Sequence, residues 1–594
     1  MQGRGKHTGS QTGNPTAHVC LIRPPAAEKF RLSSTSVTLP LGLAYIAGAL
    51  EGQGHQVSVI DAVGLAPTHH TRYYTGYLVG LSFEAIVDRI DPACTCIGIS
   101  VIFTHEWPMA VKLIEAIRRR FPATPIILGG EHVTALPEFC LATSQASVVV
   151  AGEGEETVIE LVETLSRHTS LEGILGIAYR QGEAIHVNPR RPRQTNIDAV
   201  ARPAWHHFDL HAYHRHRFVG GMVTDRLTIP ILATRGCPYQ CTYCSSPNMW
   251  TPKWVPRTPE AVVDEIETYV KQYGARNFPF QDLTAILDRD WILRFCKALQ
   301  DRNLDITWLL PTGTRAEAID ETVAQALKDT GMVSMAYAPE SGSETTRKLV
   351  KKRMHTQALF DSIQAALAQD LNVALFMVIG FPHDTPQHLD ETMAFLEDVA
   401  RIGAEDVAIA YYMAMPGTQL FGSLYDSGQI RMDRTYFNHL FANSDLIPVS
   451  SYAPHLSRWQ LFWAKCRFYL KFYCFSPHAK RSRSGLAFLR QAIGSFFSRN
   501  GHQSRMQSAL TAGVRSGWHT LVVQFTPPWI PRAEEDALFA DWDRLYRDIR
   551  QNRQQQRPAL HYPANTTLLH KQAVQHMLGH EHAGLDKPMV LSLR

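Results

Sequence analysis

The chain lacks any run of about 18 or more uncharged apolar residues, so no membrane-spanning helix is expected. It also lacks the apolar stretch of a signal peptide. Its start, MQGRGKHTGSQTGNPTAH, reads as a disordered tail over residues 1–15. A cytoplasmic setting follows, where thiols stay reduced. A dominant charge is missing too: 59 Lys and Arg stand against 55 Asp and Glu, a net charge of +4. That balance gives no electrostatic case for nucleic acid. Cysteine is sparse, at ten in 594 residues. Seven are scattered (Cys20, Cys94, Cys96, Cys140, Cys296, Cys466, Cys474) and are expected to be small buried hydrophobes. What is present is a globular composition, 45% hydrophobic and 19% charged, long enough for two to four domains.

Residues 16–165 alternate strand-like and helix-like stretches. HVCLIRPP, QVSVIDA, CIGISVIF, PIILGG and ASVVVAG read as strands, with LGLAYIAGALEGQGH and AVKLIEAIRRRF as helices between them. Such alternation predicts a parallel, doubly wound, Rossmann-like α/β sheet. Ligands of these sheets sit at the carboxyl ends of strands. Here those ends are Asp61–Gly64, Ser100–Ile102, Gly129–His132 and Gly152–Glu155. No G-x-G-x-x-G follows the first strand, which argues against a dinucleotide.

In order, RPP, PLGLAYIAGALEGQGHQVSVIDA, IGIS, ILGGEHVTALPE and GEGE resemble the cobalamin-binding domain that precedes many radical S-adenosylmethionine (SAM) cores. The resemblance covers about residues 18–165 and implies cobalamin contacts from Asp61, Ser100, Ile102, Gly129, Gly130, His132 and Glu153. One departure stands out. The wider family carries Asp-x-His-x-x-Gly, whose histidine ligates cobalt; here the stretch is Asp61-Ala62-Val63-Gly64. The resemblance therefore implies a cobalamin without a histidine ligand from this loop. His105 and His132 are candidates to lie near the corrin, or else loop histidines contacting backbone or water.

Residues 166–225 read as a linker, with a small hairpin around Gln181-Gly182 and a connector, NIDAVARPAWHHFDL, similar to the one leading into radical SAM cores. Arg190, Arg191 and Arg193 lie among prolines and are read as solvated.

TIPILAT is a β-branched run broken by Gly236 and Pro238, and Cys237, Cys241 and Cys244 follow as Cys-x3-Cys-x2-Cys. A structural zinc site wants four ligands, and no fourth cysteine or histidine comes within the next forty or so residues. A disulfide would leave one thiol over, and ordinary ferredoxin clusters use four cysteines in other spacings. The spacing, with Tyr243 before the last cysteine, resembles the radical SAM signature. That resemblance implies a [4Fe-4S] cluster on the three cysteines, with one iron left for SAM.

Residues 226–434 then supply six strand-plus-helix units, the partial (β/α)6 barrel of that superfamily. Barrel enzymes place their chemistry at strand C-termini. The resemblance places SAM contacts at Tyr243, Phe280, Gln281, Asp282, Glu340, Ser341 and Gly380. Plainer roles are open for several: Glu340 as a helix cap, Gly380 as a turn, Asp282 as the partner of an arginine.

Residues 435–550 are expected to be mostly helical. LSRWQLFWAKCRFYLKFYCF resembles the helical tail of cobalamin-dependent radical SAM proteins, including anaerobic magnesium-protoporphyrin ester cyclases. PHAKRSRSGLAFLRQAIGSFFSRN reads as a surface helix on the barrel, with membrane-surface contact as the alternative. Residues 551–594 form a polar tail whose His576, His580 and His582 are read as solvated before metal-binding.

The resemblance implies reductive cleavage of SAM to a 5′-deoxyadenosyl radical, then methylation of an unactivated carbon or phosphorus with cobalamin as methyl carrier. The alternatives are a cyclisation or oxidation without methyl transfer and, in another class, a non-catalytic cobalamin or SAM sensor. The expected partners are a small-molecule or lipid-like substrate and a flavodoxin- or ferredoxin-type electron donor.

Overall fold

A computed structural model describes residues 16–29, 37–222, 224–475, 523 and 525–556. The tail expected over 1–15, residues 557–594 of the polar tail expected over 551–594, and the basic stretch 477–500 lie outside the described residues, as do His576, His580 and His582; residues 551–556 are the end of helix Trp542–Gln556 and not tail. The described residues up to Leu545 form one compact unit. A second begins at Tyr546, and its described part, through residue 556, is helical.

The five apolar runs of the N-terminal third become parallel strands His18–Arg23, Gln56–Asp61, Cys96–Ser100, Ile126–Gly129 and Val148–Val150. Their spatial order is second, first, third, fourth, fifth, the flavodoxin-like doubly wound order. Helices Leu41–Gly52 and Trp107–Arg120 provide crossovers, and Glu155–Ser166 follows the fifth strand. The hairpin expected in the linker forms as Ile177–Gln181 and Ala184–Val187, with Gly182 at φ 61° in its turn. It pairs antiparallel with Val148–Val150 and so extends the same sheet. A three-stranded antiparallel sheet, Ala26–Glu28, His70–Tyr73 and Gly76–Val79, was not anticipated.

The second sheet is parallel and runs in chain order: Asn277–Pro279, Thr307–Thr314, Met332–Glu340, Asn372–Ile379, Asp406–Tyr411. The sixth unit comes from TIPILAT, where Thr228 and Ile231 make parallel bridges to Asn277 and Phe280. Ile229 and Ile231 donate their N–H groups to the Asn277 and Pro279 carbonyls, so Pro230, which has none to give, falls at the position facing the other edge. Local sequence starts the helices outside the sheet. Thr258, Asp288, Asp320, Ser343, Thr385 and Thr418 each accept a backbone N–H of the first turn, the capping bond that Ser, Thr and Asp favour.

Helix Arg458–Phe475 lies along the last strand of the barrel. The Tyr469 hydroxyl accepts the N–H of Ile409 at 3.2 Å, and the Tyr473 hydroxyl donates to Asp406 at 2.7 Å. Of the seven scattered cysteines, Cys20, Cys94, Cys96, Cys140 and Cys296 are buried as expected. Cys466 is half-buried and Cys474 exposed, a correction: both ride on this helix, whose faces are not all covered. Among the described residues, no helix is long and apolar enough to cross a membrane.

Candidate functional site

The cysteine loop leaves the short strand Thr234–Arg235 and is fastened on two sides. Thr242 donates its N–H to the Val350 carbonyl and accepts that of Leu420, at 3.0 and 3.1 Å. The Cys241 thiol reaches the Lys351 carbonyl at 3.7 Å, and the Thr284 hydroxyl reaches Cys237 Sγ at 3.8 Å. Burial pushes the Cys244 thiol up to about 12 and raises Cys241. Without a metal these two thiols keep their protons. A bound iron centre deprotonates its ligands outright, so the donor set fits a thiolate-ligated cluster.

The loop is also clamped to the N-terminal domain. Arg235 is buried, and its guanidinium donates to Glu153 at 3.1 Å and to Glu155. Burial works against this charge, but Glu155 and Glu153 outweigh it and drive its pKa up. The Arg235 guanidinium lies 5.1 Å from the Tyr45 ring centroid and 5.7 Å from that of Trp250. Arg193 shares Glu153 at 2.7 Å, so the arginine expected to be solvated is part of the clamp. Ser245, next to Cys244, donates to Glu131, next to Gly130. Neither Arg235 nor Ser245 was singled out from sequence. The one available signal was a charge placed immediately before the Gly-Cys turn.

The strand ends of the N-terminal sheet differ from one another. Nothing lies within 4 Å of where a Gly129 Cβ would stand. Gly130, at φ 123°, would drive a Cβ to 2.4 Å from the Val101 carbonyl, so only glycine fits. Ser100 is half-buried, and Ile102 and Phe103 beside it are 40% and 42% exposed. These ends offer a corrin an apolar, open face. His132 is buried: Nδ1 meets the Thr104 hydroxyl at 3.1 Å, and Nε2 has no partner. Burial lowers its pKa to about 3, so it stays neutral. His105 stacks on Phe103 at 5.5 Å, beside the same open face.

Asp61 is placed differently from expectation. Its carboxylate accepts the Tyr213 hydroxyl at 2.8 and 3.1 Å and sits 3.8 Å from Arg23. Tyr213 comes from the linker helix Leu210–Arg215 and fills the space by Gly64, while Val63 is fully buried. This strand end presents no ligand surface, and at Gly152–Glu155 the Glu153 carboxylate is taken up by Arg193 and Arg235, so the ends left open are Ser100–Ile102 and Gly129–Gly130.

The barrel residues also divide. Phe280 turns outward into a core with Phe295 and Trp308, away from the strand ends. Asp282 is fully buried and accepts from Ala233 N–H at 3.2 Å, Thr234 Oγ1 at 2.6 Å and Thr234 N–H. Burial raises its pKa to about 6 against those bonds. It pins the root of the cysteine loop. Gln281 lies in a small crevice with Thr38 and Gly220. Ser341 is buried, bonded to Thr392 Oγ1 at 3.2 Å and to Ser343 N–H. Phe280, Asp282 and Ser341 therefore hold the structure together and do not face an open site.

Glu340, Tyr243 and Gly380 do come near the cysteines. Glu340 stands at φ 66°, a left-handed conformation rare outside glycine, and pairs with Lys352 at 3.0 Å. Burial, with the Glu340 charge nearby, drives the Tyr243 phenol's pKa well up. The Tyr243 ring meets Phe381 edge-on at 5.4 Å, one residue past Gly380. Over Gly380 sits Leu461 of the C-terminal helix, 3.0 Å from the would-be Cβ.

Comparison with known proteins finds both domains. The B12 binding domain family matches residues 30–162, and the radical SAM superfamily matches residues 231–396. An uncharacterized methyltransferase of Pyrococcus horikoshii is 27% identical over 68% of this chain and 82% of its own. The cytidylyl-2-hydroxyethylphosphonate methyltransferase of Streptomyces wedmorensis is 28% identical over 61% of this chain and 72% of its own. The anaerobic magnesium-protoporphyrin IX monomethyl ester cyclase of Synechocystis is 26% identical over 72% and 80%. Among solved structures, the radical SAM methyltransferase TsrM of Kitasatospora setae shares the fold, with a TM-score of 0.60 at 15% identity, covering 85% of this chain and all of that one. The cobalamin-dependent enzyme OxsB gives 0.59 at 13% identity, over 94% and 84%. With a B12-binding domain clamped onto a cysteine-bearing barrel, the chain belongs to the cobalamin-binding radical SAM enzymes.

Proposed function

We propose that the protein methylates an unactivated carbon or phosphorus of a small molecule, using SAM, a [4Fe-4S] cluster and cobalamin. The carrying observation is the clamp of Arg235 on Glu153 and Glu155, with Ser245 on Glu131. It sets the cysteine loop against the open glycine strand ends, so the two cofactors face one space. When bound, the cluster supplies the electron that cleaves SAM, and the cobalamin supplies a transferable methyl group.

The protein's own residues do the positioning. Cys237, Cys241 and Cys244 hold the cluster. Tyr243, Glu340 and Gly380 border the SAM position, Glu340 with its charge already balanced by Lys352. Gly129, Gly130, Ile102 and Ser100 face the corrin. Asp282 and Arg235 hold the loop in place without touching substrate. Burial of these groups excludes water, which protects a reactive intermediate. A flavodoxin- or ferredoxin-type protein is the proposed electron source. The match to the cyclase supports a second reading, radical cyclisation or oxidation without methyl transfer.

The test is anaerobic reconstitution with iron, sulfide and hydroxocobalamin, then incubation with dithionite and SAM. S-adenosylhomocysteine together with 5′-deoxyadenosine is expected. 5′-Deoxyadenosine alone favours the second reading, and absence of both overturns catalysis in favour of a sensor. Cys241→Ala is expected to abolish the cluster absorbance and SAM cleavage together.

A further inference from the structure

Below the Gly380 turn lies a cavity of about 320 Å³, within the range of small-molecule pockets. One wall is apolar and belongs to the last two barrel strands. Phe376 and Val378 lie on the strand leading to Gly380, and Ala408 and Ala410 on its neighbour. These four alternate with fully buried residues, so they share the inner face. The opposite wall is polar and drawn from distant parts of the chain: Lys29 from the N-terminal domain, Asp445, and Lys465 from the C-terminal helix.

Two lysines stand against one carboxylate among the lining residues. Lys29 and Lys465 are 3% and 2% exposed. Asp445 is the one carboxylate among the lining residues, and it pairs with Lys29 at 2.7 Å. Lys465 makes no ion pair of its own among the described residues: its Nζ donates to the carbonyls of Ser444 and Asp445 at 3.2 and 2.8 Å and lies 4.4 Å from the Tyr411 ring centroid. Two carbonyls use two of its three N–H donors. Burial lowers its pKa to about 7, with Asp445 only partly opposing. A buried lysine beside an apolar cavity, with a third N–H donor to give, is suited to receive an anion.

We propose that this cavity seats the substrate, an apolar body bearing a carboxylate or phosphoryl group held between Lys29 and Lys465. The inference rests on the proposed chemistry for what happens next, but not for binding. It narrows the substrate class to anionic amphiphiles small enough for the cavity. The apolar wall along Phe376 and Val378 then directs the body toward the Gly380 end of the barrel.

The test is calorimetric titration of the full chain with octanoate, octyl phosphate and 1-octanol, with and without hydroxocobalamin loading. Octanoate, octyl phosphate or both are expected to bind at least tenfold more tightly than 1-octanol, and which anion wins names the group. Lys465→Met and Lys29→Met are each expected to erase that preference, with circular dichroism and thermal midpoint retained. If one variant fails to fold, the other and the wild-type series still decide. Equal binding of 1-octanol overturns the proposal, as does a preference that survives both substitutions. Loss of anion binding on hydroxocobalamin loading also overturns it, by assigning the lysines to the corrinoid's own phosphate. The readout needs no SAM cleavage, so failure of the catalytic reading leaves a distinct signature.

Discussion

Two strand ends of the N-terminal sheet occupy equivalent places in the fold and have opposite fates. At Asp61–Gly64 the space is filled from within, by Tyr213 and Arg23 closing on a carboxylate. At Gly129 nothing among the described residues covers the backbone, and Glu131 two residues on meets Ser245 of the cysteine loop. A strand end becomes a ligand surface when no other part of the chain reaches it, whatever motif it carries.

That contrast can be broken experimentally. The largest effect is expected from Arg235→Met, which leaves Glu153 and Glu155 without their shared buried cation. Breaking a buried pair costs about 3–5 kcal/mol, to be read from urea denaturation together with loss of cluster incorporation. Unchanged stability and unchanged iron content would dissolve the clamp.

Asp282 gives a pH signature of the same loop. Its carboxyl is raised to about 6 from 3.8, so the folded state keeps a proton that the unfolded chain loses between those values. Its contribution is full below 3.8 and lost as the pH rises through about 6, a change of roughly 2–3 kcal/mol. Asp282→Asn is expected to flatten that part of the stability–pH curve.

The two glycines provide a crossed pair. Gly64→Ala drives a Cβ to 2.6 Å from the Asp61 carboxylate, and overpacking of this kind costs about 1–3 kcal/mol. Corrinoid binding should be untouched. Gly129→Leu meets no atom of the protein within 4 Å of its Cβ, so the thermal midpoint should hold while hydroxocobalamin affinity falls at least tenfold. Equal effects of the two on stability and affinity would erase the distinction. The smallest effect is expected from Val63→His: its position is fully buried behind Tyr213, so the visible spectrum of bound cobalamin should not shift toward imidazole ligation.

Much of this was legible in the chain. The parallel strands stood out because their β-branched runs are bounded by glycine and proline, and the cysteine triplet because its spacing admits few chemistries. The pairing of Asp61 with Tyr213 spans 152 positions, and no local pattern announces it. The strands Ala26–Glu28 and His70–Tyr73 are too short to show an alternation. Asp282 was read as a cofactor contact because strand-end position speaks only of the backbone, while the side chain's fate depended on Thr234 across the barrel. Lys465 was hidden in an aromatic, basic helix whose buried face is not set by hydrophobicity alone.

A partial barrel never closes, so the outer amide groups of its final strand have no neighbouring strand and find other partners, Val407 at Asp406 and Tyr411 at the Asn443 carbonyl. The Tyr469 phenol meets one of them at Ile409, and Tyr473 holds the start of the same strand. Exposed strand edges template pairing with other chains. Helix Arg458–Phe475 thus acts as a guard against self-association, and a chain cut just before Arg458 should form oligomers or precipitate where the intact one stays dispersed.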